Sequence, residues 1–199
     1  MSSTNDIGAI ILAAGSSSRL GEPKQLLKHD GKSLLQTAVD AANNADTNPV
    51  ILVLGANADQ ISKEINKSKV QVIINSEWEE GMASSVRVGL NEVLFISPSI
   101  EAVILMVCDQ PYISAELIND LINTHKQTRK PIVTCNYGET IGPPALFQRS
   151  LFKELMQLRG DVGARKIIQN HSNDVVTVLF AKGRIDIDTK EDYNALNNS

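Results

Sequence analysis

Residues 11–27 read ILAAGSSSRLGEPKQLL, an apolar run that opens into glycine, three serines, an arginine and a Gly-Glu-Pro-Lys turn. The run starts upstream as GAIILAA (8–14), β-branched and nearly continuous, which is how a strand buried on both faces reads. Working outward, the same texture recurs in VILVLG (50–55), VQVII (70–74), AVILMVC (102–108), PIVTC (131–135) and VVTVLF (175–180). Helical periods lie between them. In residues 33–45, Leu34, Leu35, Ala38, Val39 and Ala42 fall on one face. Val86, Leu90, Val93 and Leu94 repeat the pattern in 84–95. Leu117, Leu121 and Ile122 do so in 114–125, with Ser114 as N-cap. Strand–helix alternation of this kind predicts an α/β fold with a mainly parallel sheet, and 1–199 reads as one domain.

Composition narrows the function. Lys+Arg 19 against Asp+Glu 23 leaves a net charge of −4 with no basic run, which disfavours a nucleic-acid backbone as partner. Cys108 and Cys135 stand without a C-x-x-C, and the histidines are scattered, so a zinc site is not expected. Apolar runs fall short of the roughly 20 residues a membrane span needs. Two unpaired thiols and no leader pattern predict a soluble chain in a reducing cytoplasm.

In an open α/β sheet, ligands gather beyond the carboxyl ends of the strands. Gly15, Ser16 and Ser17 follow the first strand, and small residues there let backbone N–H groups form a nest for phosphate oxygens. Arg19 and Lys24 supply the matching positive charge, one as a bidentate clamp and one as a mobile point charge. An ordinary surface loop is the plain alternative. The G-x-G-x-x-G dinucleotide fingerprint is absent. Gly31-Lys32-Ser33 is not a P-loop, because Leu26 stands where its first glycine belongs; it reads as a turn into a helix.

Asp109 directly follows AVILMVC and should emerge at the carboxyl edge of a central strand, with Pro111 sending the chain out of the sheet. Asp186 and Asp188 end the last extended segment near the same edge, with Asp186 expected to face away. A capping or turn role is the alternative for Asp109. Glu191 and Asp192 read as caps of the closing helix. Gly81-Met82 opens a helix carrying Ser84, Ser85 and Arg87, either a second anion or base-edge site or a capped amphipathic helix with Trp78 packed beneath. Gly142-Pro143-Pro144 reads as a rigid loop, and Asp161 with Gly163 as a helix start.

LAAGSSSRLGEPKQLL (12–27) resembles the L-A-[AG]-G-x-x-x-R-x-G-x-x-K signature of Rossmann-like nucleotidyltransferases, within them the molybdenum cofactor cytidylyltransferase branch. The resemblance continues in order through residues 75–90, 107–114, 142–147, 160–168 and 186–193. It implies a three-layer sandwich of the nucleotide-diphospho-sugar transferase type. It also implies magnesium-dependent transfer of CMP from CTP to molybdopterin with release of pyrophosphate. Arg19, Lys24 and Asp109 would be catalytic, and Asp109 and Asp188 would hold Mg2+. Leu12, Ala13, Ala14, Gly15, Ser16, Ser17, Lys24, Ser84 and Ser85 would bind the nucleotide. Gly142, Pro143, Pro144 and Arg165 would meet the pterin phosphate, Arg165 being equally readable as part of a capped helix. Ala14 matches the cytidylyl form, whereas guanylyltransferases typically carry glycine there. Guanylyl transfer from GTP, transfer to another phosphorylated acceptor, and a non-catalytic nucleotide binder stay open. A molybdoenzyme or its chaperone would be the partner receiving the product.

Overall fold

A computed structural model of the chain describes residues 6–18, 20–65 and 70–197. In chain order the strands are β1 (Ile7–Ala13), β2 (Lys28–His29), β3 (Lys32–Ser33), β4 (Val50–Leu54), β5 (Gln71–Ile74), β6 (Ala102–Val107), β7 (Ile132–Asn136), β8 (Ile141–Gln148) and β9 (Val175–Leu179). The helices are α1 (Leu34–Asn43), α2 (Ala58–Glu64), α3 (Met82–Ile96), α4 (Ala115–Thr128), α5 (Phe152–Gln157), α6 (Arg165–Asn170) and α7 (Lys190–Asn197). Seven strands form one sheet in the order β5-β4-β1-β6-β8-β7-β9. All its pairings are parallel except those of β8, which runs against both β6 and β7.

Alternation along the strands builds the two outer layers. Ala9, Ile11 and Ala13 of β1 join Leu52, Leu54, Ile104 and Met106 on one face, covered by α1, α2 and α4. Ile10 joins Ile51, Val53, Val103 and Leu105 on the other, covered by α3, α5 and α6. Helix α3 comes closest at Gly89, where an added Cβ would lie 2.4 Å from Ile10 Cγ2. Only glycine permits that approach.

Two expectations are corrected and one is met. Residues 70–74 and 175–180 are strands, but at the two edges of the sheet and only half buried, because each has a single neighbouring strand. The segment around Gly142-Pro143-Pro144 is not a loop but the start of β8. Proline cannot donate to a ladder and normally argues against a central strand. Here β6 pairs only from Ala145 onward, and the β7 register jumps from Ala145 to Gly142, so neither proline occupies a ladder position. Gly31-Lys32-Ser33 does lead into a helix: Asp30 and Gly31 make the turn of the β2–β3 hairpin at positive φ, and Ser33 Oγ accepts from Gln36 N at the start of α1.

Candidate active site at the carboxyl ends of the strands

A cavity of about 520 Å³ opens beyond the ends of β1 and β6. Leu12, Ala13, Ala14, Gly15, Ser16 and Lys24 line one wall, and Ser85, Asp109 and Asp188 are also among its lining residues. Arg19 lies outside the described residues. The loop after β1 is held from within by Gln25, which is 1% exposed. Its Nε2 donates to Ala13 O at 2.9 Å and to Gly15 O at 3.0 Å. Ser17 sits at φ 56° and its Oγ accepts from Lys24 N at 3.0 Å. The Ser17 hydroxyl therefore shapes the loop and is not among the groups lining the cavity, whereas Gly15 and Ser16 are exposed to it.

Lys24 is the centre of the charge arrangement. Its Nζ donates to Asp109 Oδ2 at 2.6 Å and to Asp188 Oδ1 at 2.9 Å. Lys24 and Asp109 are each 18% exposed and Asp188 is 36% exposed. Burial alone would lower the lysine pKa, but attraction and hydrogen bonding to Asp109, aided by Asp188, hold it well above the ordinary range. The ammonium is protonated at any physiological pH. Asp188 is fixed from behind: Asp192 Oδ2 accepts from Asp188 N and Thr189 N, and Asp192 N donates to Thr189 Oγ1, a reciprocal cap at the start of α7. Ile187, fully buried, donates its N–H to Asp109 O at 3.1 Å and so stitches the two carboxylates' segments together.

Asp186 is not among the residues lining this cavity. Two residues from Asp188 in an extended segment, it stays in the field of Asp109 and Asp188, and burial followed by Asp109 pushes its carboxyl pKa up. It lines a separate polar recess that also takes in Asp109. Cys108 also touches the cavity, but burial raises its thiol to about 12, so it stays protonated and supplies no nucleophile.

The opening of α3 forms the opposite wall. Ser85 lines the cavity, while Ser84 does not: its Oγ accepts from Asn75 Nδ2 at 2.7 Å and donates to Gly81 O at 2.8 Å. Asn75, 1% exposed, also donates to Ser85 Oγ, while its backbone N–H bonds Leu54 O. Trp78 flanks the cavity rather than packing beneath α3. An added Cβ on Gly55 would lie 2.6 Å from Trp78 Cβ and 2.8 Å from Ala14 Cβ, so the Ala14 methyl packs toward β4's exit. Nothing in the motif pattern marks Gln25 or Asn75 as part of this site. The only signal was an uncharged amide at a strand exit or among apolar neighbours.

A second cavity, about 410 Å³ and largely apolar, adjoins the first across Leu12, Met82 and Val107. Gly142, Pro143 and Arg165 line it together with Val86, Leu105 and Phe147. Pro144 is buried and is not part of this wall. Arg87 braces the loop that carries Asp161 to Arg165, pairing with both oxygens of Glu80 and donating to Leu158 O at 2.7 Å.

Whether this centre suits a divalent cation can be judged from its donors. Asp109 and Asp188 already converge on one cationic nitrogen, as a pair of hard oxygen ligands should. No cluster of three or more ligating side chains occurs among the described residues. Two carboxylates with the remaining positions left to phosphate oxygens and water is how magnesium or manganese is held beside a triphosphate.

Residues 9–175 match the model of the MobA-like NTP transferase domain. The chain belongs to that family. As a MobA-like NTP transferase it is a nucleotidyltransferase, and its fold agrees with solved relatives. It is 32% identical to Rv0371c from Mycobacterium tuberculosis H37Rv, with a TM-score of 0.86 over 97% of each chain. A structure of Rv0371c in complex with manganese is similar at 29% identity and TM-score 0.82, over 97% of this chain and 98% of that one. By sequence, this NTP transferase is 27% identical to nicotine blue oxidoreductase of Paenarthrobacter nicotinovorans over 82% of this chain and 81% of that protein. It is 25% identical to the probable molybdenum cofactor guanylyltransferase of Natranaerobius thermophilus over 65% of this chain and 60% of that protein.

Proposed function

We propose that the chain transfers CMP from CTP to the terminal phosphate of molybdopterin, releasing pyrophosphate, with Mg2+ held by Asp109 and Asp188. The observation that carries this reading is the convergence of Lys24, Asp109 and Asp188 where a serine–glycine loop meets a second cavity. The donor's phosphates would lie along Gly15 and Ser16 with Lys24 neutralising them, and Trp78 would flank the donor. The acceptor would enter beside Gly142, Pro143 and Arg165, its phosphate reaching the donor across Leu12 and Val107.

An oxygen of the acceptor phosphate forms a bond to the α-phosphorus as the bond to the bridging oxygen breaks, and that oxygen leaves with pyrophosphate. The nucleophile is already an anion at neutral pH, so no general base is needed. The protein's part is alignment and stabilisation of charge on the phosphoryl oxygens. The metal supplies further positive charge to those oxygens when bound.

Support for molybdopterin comes from the family and from the guanylyltransferase relative; support for CTP comes from Ala14. The mainly apolar lining of the second cavity favours one further reading, transfer to another phosphorylated acceptor with an apolar body. The test is pyrophosphate release with each NTP, Mg2+ and molybdopterin. Release with CTP and molybdopterin together supports the proposal. Release with GTP, or only with other phosphate esters, replaces its donor or acceptor, and tight nucleotide binding with no release under any pairing makes the chain a binder.

A further inference from the structure

Lys24 has two claims on it. Its ammonium lies within 2.9 Å of an oxygen on each carboxylate assigned to the metal, yet it belongs to the loop that would cradle the donor's phosphates. Two of its three N–H donors are taken by the carboxylates, so the third still reaches a phosphate, and the conflict is with a metal on the same carboxylates. A divalent cation bound between Asp109 and Asp188 would sit in contact with the ammonium, and like charges that close repel strongly in a partly buried setting. The lysine backbone is anchored, through Lys24 N to Ser17 Oγ and Leu27 N to Lys24 O, while its flexible stem leaves the head group free to swing.

We propose that Lys24 is a latch on the metal site: it occupies the Asp109–Asp188 pair until the donor's phosphates draw it away, so that metal and nucleotide enter together. This rests on the metal site assigned under the proposed function. The latch makes the bare protein a poor metal binder and makes nucleotide and metal promote one another. By thermodynamic reciprocity each raises the other's affinity by the same factor. It also guards the cleft, because a metal bound without its nucleotide would present a Lewis acid to any phosphate ester passing the open site.

The test is binding of Mn2+ alone to the full chain, followed by electron paramagnetic resonance, in wild type, Lys24→Met, Lys24→Arg and Asp109→Asn. Lys24→Met keeps the aliphatic stem and removes the charge, and should bind Mn2+ about tenfold more tightly than wild type, within the usual span of coupling between sites. Lys24→Arg, which keeps the charge, should stay near wild type, and Asp109→Asn should bind about tenfold more weakly. Equal or weaker binding by Lys24→Met, with Asp109→Asn still impaired, overturns the latch and leaves the metal site standing. Unchanged binding in Asp109→Asn removes the metal site itself, and the latch with it. If Lys24→Met does not give a native circular dichroism spectrum, Lys24→Gln takes its place under the same criteria.

Discussion

Lys24 and Gln25 are chain neighbours with opposite duties. Lys24 faces the cavity and carries charge; Gln25 faces inward and closes the loop. Lys24→Ala should lower turnover by on the order of 10²-fold, comparable to losing one transition-state donor, and steady-state pyrophosphate release checks it. Gln25→Ala should act first on stability. It leaves Ala13 O and Gly15 O without their partner, a loss of about 1–3 kcal/mol readable in urea unfolding. Turnover should fall along with it, because Gly15 then loses its fixed position at the proposed phosphate site. Lys24, Asp109 and Asp188 were legible as residue types at strand exits. Gln25, Asn75 and the inward turn of Ser84 were not, because which side of a loop a small polar group faces depends on partners distant in sequence.

Elements place those residues. Helix α3 lies tight on β1 and β4 through Gly89, so its N-terminal turn, with Ser85 and Gly81, is held at the cavity's edge. Gly89→Ala would drive a methyl into Ile10 Cγ2 and Val53 Cγ2, and overpacking of this kind costs about 1–3 kcal/mol. Chemical denaturation should show that loss, with the KM for nucleotide rising as α3 shifts outward. Periodicity revealed α1, α3 and α4 and the strands of the parallel core. It missed β8, because two adjacent prolines read as a loop and only the register jump against β7 makes room for them. That jump also sets Pro143 against the second cavity and Pro144 into the interior.

Across the whole molecule, the sheet joins the two cavities and buries both thiols. Cys108 directly follows β6 and Cys135 lies in β7, each pushed by burial to about 12. A thiol held protonated in the fold but ordinary in the unfolded chain costs stability as pH rises. The folded state binds the extra proton, so stability is retained below about pH 8.5 and declines from there toward pH 12. Melting temperature should accordingly fall across that alkaline range, and replacing both cysteines with alanine should flatten the part of the slope they cause. In native protein at pH 8 neither thiol should react with Ellman's reagent until the chain unfolds, so labelling rate should track global opening.

The alternation of apolar strands with amphipathic helices determined an α/β sandwich, and the order of glycine, serine, lysine and aspartate at strand ends determined where its chemistry would gather. Those signals are local, because side-chain period and turn chemistry are written into consecutive residues. What only the tertiary structure decided is which carboxylates meet which cation. Lys24, Asp109 and Asp188 come from widely separated parts of the chain, and no spacing along it encodes that one ammonium spans both. Their meeting follows from β1 and β6 lying side by side and from the Ile187 hydrogen bond that brings the last segment to β6's exit.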